Sequence, residues 1–259
     1  MSAQNKKKDM KTLLTTNNAK TKKGEKVIDK ISGLSYKTYI LYMTSYTDNK
    51  YGVNVCSHAS EGCISGCLVS SGFGGLYNSV KEGRRRKVEM FIEDRVKFIN
   101  SLAEEIRKAI KVNEAKMVVV VRLNGTSDIA YERFRIFEGG KNIIEKFPEI
   151  QFYDYTKNWT RFNDKLPNNY HLTFSRSEDN EDKAFELLSR GINVSFIFRE
   201  VPKEYRGYEV INGDEHDLTF LHKKGVIIGL RYKKNTTIGG KIKNEIAYKN
   251  GFVIEYKKE

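Results

Sequence analysis

Five segments of this 259-residue chain carry apolar runs of strand length: 36–47 (YKTYILYMTSYT), 116–123 (KMVVVVRL), 149–157 (EIQFYDYTK), 170–175 (YHLTFS) and 192–200 (INVSFIFRE). Runs such as KMVVVVRL predict strands buried on both faces, as in a parallel sheet, because a strand with one wet face alternates instead. Helical period fills the gaps. In 86–111, Val88, Phe91, Ile92, Val96, Ile99, Leu102, Ile106 and Ile110 recur at three- and four-residue spacing, which predicts a long helix. Another is predicted within 178–191, with acids in its first turn and Gly191 as its C-cap. A third is expected through 137–147 (FEGGKNIIEKF), and 158–169 reads as short helical or irregular chain. Beyond 203 the pattern loosens to two strands, 207–213 and 225–234.

This strand–helix alternation argues for a parallel α/β architecture, which a barrel or an open sheet would satisfy equally. Either form places its site at the C-terminal ends of the strands, where helix N-termini and free backbone groups converge. The residues there are Asn124, Thr126 and Asp128, then Lys157, then Ser175 and Arg176, then Arg199. Asp128, Lys157 and Arg176 are the candidate catalytic residues; Asn124, Thr126, Ser175 and Arg199 are the candidate cofactor-binding residues. Every strand must end in a polar loop, so polarity alone says little. More telling is that Lys157, Arg176 and Arg199 recur at equivalent places, as suits a phosphate or carboxylate ligand. The acidic segment around Asp214, His216 and Asp217 reads first as a tight turn, and second as a group closing the site from the far end.

Charge refines the domain boundaries. The net charge is +13, and residues 1–30 (nine Lys, three acids) and 231–259 (eight Lys or Arg, three acids) supply nearly all of it. Residues 1–33 are therefore expected to be a flexible basic tail, 34–233 the α/β domain and 234–259 a basic C-terminal extension. Lys6, Lys7, Lys8, Lys22 and Lys23 are candidates for nucleic-acid phosphate contacts, against the plainer role of keeping the protein dissolved. No apolar run is long enough to span a bilayer, and MSAQNKKKDMKTLL lacks a secretory apolar core, so a cytoplasmic protein is expected.

All three cysteines, Cys56, Cys63 and Cys67, fall within twelve residues directly after the first predicted strand. In a reducing compartment clustered thiols are better read as metal ligands than as a disulfide with one thiol left over. The spacing C-x6-C-x3-C is not a paired zinc knuckle, although His58 would make a fourth ligand. Three thiols also suit an iron–sulfur cluster with one iron left open, and Gly62 and Gly66 would let the loop wrap it. A cluster, zinc and no metal all remain open on spacing alone.

The stretches ASEGCISGCLVSSG, GRRRKVEMFIEDRVKFINSL, VRLNGTSDIAYE and FYDYTKN resemble the bacteriophage gene product 88 family over most of residues 33–233, RLNGTSDI being the most specific block. That resemblance implies a viral origin, with the cytoplasm that of the infected bacterium. More distantly, a three-cysteine loop after the first strand followed by repeated βα units is similar to the radical S-adenosylmethionine enzymes. This likeness implies a partial (β/α)6 TIM-like barrel holding a 4Fe–4S cluster on Cys56, Cys63 and Cys67, with S-adenosylmethionine on the open iron. It further implies Asn124 and Asp128 on the methionine or ribose, and Lys157 or Arg176 on the carboxylate. The chain departs from that superfamily's common C-x3-C-x2-C spacing and shows no glycine-rich motif after the second strand. The expected function is thus a cluster-bearing barrel enzyme, acting on a nucleic acid or nucleotide. The alternative is a non-catalytic nucleic-acid-binding accessory protein of phage replication with structural zinc or no metal.

Overall fold

The computed structural model describes residues 12–70, 77–235 and 239–256. Among these, nine strands form one sheet: β1 (Leu14–Thr15), β2 (Ser35–Leu41), β3 (Met117–Arg122), β4 (Gln151–Thr156), β5 (Tyr170–Ser175), β6 (Val194–Phe198), β7 (Glu204–Tyr205), β8 (Tyr208–Asn212) and β9 (Ile227–Arg231). Their spatial order is β1-β2-β3-β4-β5-β6-β9-β8-β7. All pairs from β2 to β8 are parallel, and only the short edge strands β1 and β7 pair antiparallel. The sheet is open, ending at β1 and β7. Closure into a barrel is therefore not seen, although the sequential parallel order of β2 through β6 is the one a barrel would use.

Among the described residues six α-helices accompany the sheet: α1 (Ala19–Gly24), α2 (Glu61–Ser65), α3 (Asn78–Glu93), α4 (Arg95–Asn113), α5 (Glu181–Ser189) and α6 (Gly240–Lys249). The long helical pattern of 86–111 is split in two at Asp94. That residue leaves helical geometry (φ −150°, ψ 86°), and its carboxylate accepts the Lys97 N–H at 2.9 Å, capping the next helix. The helix expected through 137–147 does not form. Gly139 and Gly140 both take positive φ, and Phe137 bridges Lys141 across a tight turn.

Helices α3, α4 and α5 cover one face of the sheet. Val119, Val121, Phe152, Tyr170 and Leu172 pack with Phe98, Ile99, Leu102 and Ile106 of α4, while Phe174, Phe196 and Phe198 pack with Leu187 and Leu188 of α5. Since side chains alternate along a strand, the intervening residues point the other way. Near the N-terminal ends that second face is apolar, with Tyr36, Val120 and Tyr153 under Leu218 and Phe220 from the β8–β9 connection. Toward the C-terminal ends it turns polar, and there it borders a cavity.

Both charged ends belong partly to this body. Within the segment expected to be a tail, Leu13 is fully buried, its N–H and that of Leu14 are accepted by Glu105, and β1 pairs with β2. In the C-terminal segment Phe252 and Val253 are buried, and Ile254 bridges Phe198. Lys6, Lys7 and Lys8 lie outside the described residues. No described helix is long and apolar enough to cross a membrane.

A buried polar network ties the segments that follow β3 and β4 to the middle of β4 and the start of β5. Arg161, 1% exposed, donates to both oxygens of Glu132 at 2.8 Å, to Asp128 at 3.2 Å and to the Tyr170 hydroxyl at 2.9 Å. Tyr170 donates in turn to Asp154, which also accepts the backbone N–H of Asn124 at 2.6 Å. Complete burial pushes the Asp154 carboxyl up to about 6 despite these donors and the nearby Arg122. Removing one member of such a network leaves a buried charge without its partner. Arg161→Met is expected to lower stability by about 3–5 kcal/mol, read from urea midpoints at neutral pH.

Candidate functional site

A cavity of about 460 Å³ opens where the C-terminal ends of the parallel strands converge. Every parallel strand from β2 to β6, together with β9, reaches it directly or through the loop that follows. Cys56, Cys63 and Cys67 line it, as do Asn124, Thr126, Asp128, Lys157, Ser175 and Arg176. Nine expected site residues thus meet in one place. Arg199 does not; it is exposed and pairs with Glu255 at 2.9 Å.

Not all nine have free chemistry. Asn124 is a loop clamp: its Oδ1 accepts Ser127 Oγ and the Ile129 N–H, and its Nδ2 donates to the Ile129 carbonyl. Thr126 donates to the Met43 carbonyl. Arg176 grips Glu181 and the carbonyls of Gly251 and Phe252, tying the C-terminal segment to β5. Asp128 accepts the backbone N–H of Lys157 at 2.8 Å and so sets where that lysine starts. Ser175 meets Ser195 at 3.1 Å.

The cysteine loop is built by close packing. Ser60 caps α2 by accepting the Cys63 N–H, and Glu178 accepts both the Ser60 hydroxyl at 2.7 Å and the Gly62 N–H at 2.6 Å. A Cβ on Gly62 would stand 2.5 Å from Phe252 and 2.7 Å from Glu178, and one on Gly66 would stand 2.9 Å from the Phe252 ring. Those glycines are needed so that α2 can lie against the C-terminal segment, a more immediate demand than wrapping a cluster. Cys63 packs in the same apolar group as Phe252, Ala247 and Tyr232.

Burial pushes the Cys56 thiol up to about 12, with Cys67, Asp128 and Cys63 adding to the rise. It raises Cys63 as well, while the Lys157 ammonium beside that thiol pulls the other way. Cys67 donates to Ser45 Oγ at 3.3 Å. His58 is exposed, bonded to Ser57 and outside the cavity, so it does not supply a fourth ligand. Among the described residues no group of three or more His, Cys, Asp or Glu side chains is arranged to hold a metal ion.

At the far end of the cavity, Lys20 and Arg122 join the segment of Asp214, His216 and Asp217, a role the sequence reading did not assign to either cation. Asp217 accepts from Arg122 at 2.7 Å, Lys20 at 3.0 Å and the Tyr155 hydroxyl at 3.1 Å. One carboxylate thereby joins α1, β3, β4 and the β8–β9 connection. Asp214 and His216 line the same cavity, as the far-end reading of that segment expected. Burial and the adjacent Arg122 lower Lys20 to about 8 in spite of Asp217. Lys23 reaches the Asp214 carbonyl from α1, whereas Lys22 on the same helix is exposed and does not line the cavity. The signals were present in sequence: Asn18 and Thr21 form a capping box for α1, and Arg122 is the single charge closing MVVVVR.

Burial alone would raise Asp217, but Arg122 and Lys20 outweigh it and hold its carboxyl below the ordinary range. The stability it confers is therefore complete above the unfolded value of about 4, and is lost as pH falls through the lower folded value. Asp217→Asn is expected to lower stability by about 2 kcal/mol at pH 7 and to flatten the acid limb below pH ~4. Urea midpoints measured across a pH series check both.

The sequence profile of the gene product 88 family matches residues 10–249. No curated protein and no solved structure matches the chain. None of these comparisons supports the more distant likeness to radical S-adenosylmethionine enzymes.

Proposed function

We propose that this chain, which belongs to the gene product 88 family, is an enzyme working in the cavity at the C-terminal mouth of its sheet. In this reading Cys56, Cys63 and Cys67 hold an iron–sulfur cluster, and cations elsewhere in the cavity hold an anionic cofactor or substrate. The observation that carries it is the meeting of three thiols with seven Lys and Arg and only three Asp around one cavity. Cations in such excess suit a negatively charged ligand, and thiols gathered beside them suit a soft metal.

The donor set fits a cluster in kind rather than in finished geometry. Three thiols come from one loop, and His58 is turned away. A structural zinc ion needs four protein donors, and the loop offers three thiols with His58 outside the cavity. When bound, the cluster supplies one-electron reduction. The chain's own residues do the rest. Lys157 beside Cys63 favours the thiolate that ligation needs, and Asp128 fixes the Lys157 backbone. Phe252 packs against α2, and Phe252 with Ala247 of α6 lies against Cys63. S-adenosylmethionine is the cofactor this reading names, its carboxylate suited to Lys157, on the strength of sequence likeness.

Protein purified without oxygen is expected to carry about four irons and four sulfides with a broad visible absorption, lost in Cys63→Ala. One zinc without sulfide, or no metal in either protein, would overturn the cluster.

A further inference from the structure

The lower part of the cavity carries a surplus of positive charge that its own acids do not balance. Lys20, Lys23, Arg122, Arg231 and Lys233 line it together with only Asp214 and Asp217, an excess of three. Two of these cations, Arg122 and Lys20, share the one buried carboxylate of Asp217. Arg122 is 6% exposed and Asp217 7%, Lys20 is half-buried, and Lys23, Arg231 and Lys233 reach solvent at the rim of the cavity. A surplus of cations along one cavity wall attracts an anion. A carboxylate ligand brings one negative charge, whereas a phosphomonoester brings nearly two and three acceptor oxygens.

The same cavity presents aromatic rings. Tyr155, Tyr232 and Phe252 line it, and the Tyr155 ring already carries the Arg122 guanidinium at 4.6 Å. Rings beside a phosphate-binding cation group are the chemistry that receives a base and its 5′-phosphate. A second groove shares Lys23, Asp214, Arg231, Tyr232 and Lys233 with the cavity and adds Lys203, so the cationic wall continues toward the surface. Arg122 stands at the buried inner end of this wall, where a small anion entering the cavity meets it more readily than the backbone of a long polyanion. A volume of about 460 Å³ is within the range of small-molecule sites.

We infer that the cavity binds a nucleoside phosphate, its phosphate held by Lys20, Lys23, Arg122 and Lys233 and its base against the aromatic rings. This rests on the cavity being the working site but not on the cluster, so it is tested in iron-free Cys63→Ala protein as well as in protein purified without oxygen. Calorimetric titration with adenosine and uridine 5′-monophosphate is compared with adenosine, inorganic phosphate and a twelve-nucleotide single strand (a probe length of about one to three binding-site lengths). Nucleotides are expected to bind about tenfold or more tightly than adenosine or phosphate in both proteins. Lys20→Gln and the surface double variant Lys23→Gln/Lys233→Gln should each weaken nucleotides about tenfold. Lys22→Gln, which removes the same charge outside the cavity, should leave binding within about twofold. Circular dichroism confirms that each variant is folded. No nucleotide binding to folded protein, an equal loss in Lys22→Gln, or tight binding of the single strand insensitive to Lys20→Gln would each overturn the inference. Binding that survives in iron-free protein while the metal analysis fails would separate this site from the cluster.

Discussion

The Asp217 carboxylate is the tie on which the inner side of this sheet depends. A parallel sheet with α3, α4 and α5 on one face leaves the other to be filled by something else. Here the β8–β9 connection does it, seating Leu218 and Phe220 on Tyr36, Val120 and Tyr153. Its next residue toward the mouth, Asp217, meets Arg122, Lys20 and Tyr155, which arrive from three different elements. The floor of the cavity and the position of α1 are thus set by one ion group. Because that group holds two cations to one carboxylate, the tie that shapes the cavity also charges it.

A second constraint shapes the thiol side. α2 is short and has little of its own to hold it, so Glu178 caps it and Phe252 presses against its two glycines. Arg176 then anchors the chain at Gly251 and Phe252. The C-terminal segment, whose sequence reads as a solvated basic extension, is in this way part of the wall behind the cysteines. Cations and thiols reach the same cavity by separate supports, which is why binding of an anion and loading of a metal can be tested apart.

Much of the fold was legible because its strands advertise themselves. MVVVVR, QFYDYT and VSFIF are apolar on both faces, and only a covered parallel sheet accommodates that. The gathering of Cys56, Lys157 and Asp128 followed from the rule that parallel strands deliver their C-terminal loops to one place. What escaped was whatever depends on partners far away in sequence. The apolar period across 86–111 continues through Asp94, and the break shows in that residue's backbone and in its carboxylate's bond to the Lys97 N–H. FEGGKNIIEKF has helical spacing, but its glycines prefer the left-handed turn they adopt. Asn124 and Arg176 looked like ligands because they are polar at strand ends, yet the backbone and acids around them claim their hydrogen bonds. Lys20 looked like tail until Asn18 capped a helix that carries it inward.

The account stands or falls on whether the three thiols hold a metal group inside this cavity. A crystal grown without oxygen, with anomalous data collected on both sides of the iron edge, tests that directly. The account predicts iron density bounded by Cys56, Cys63 and Cys67 and open toward Lys157. Three free thiols in a cavity with no iron density, or density elsewhere on the chain, would contradict it.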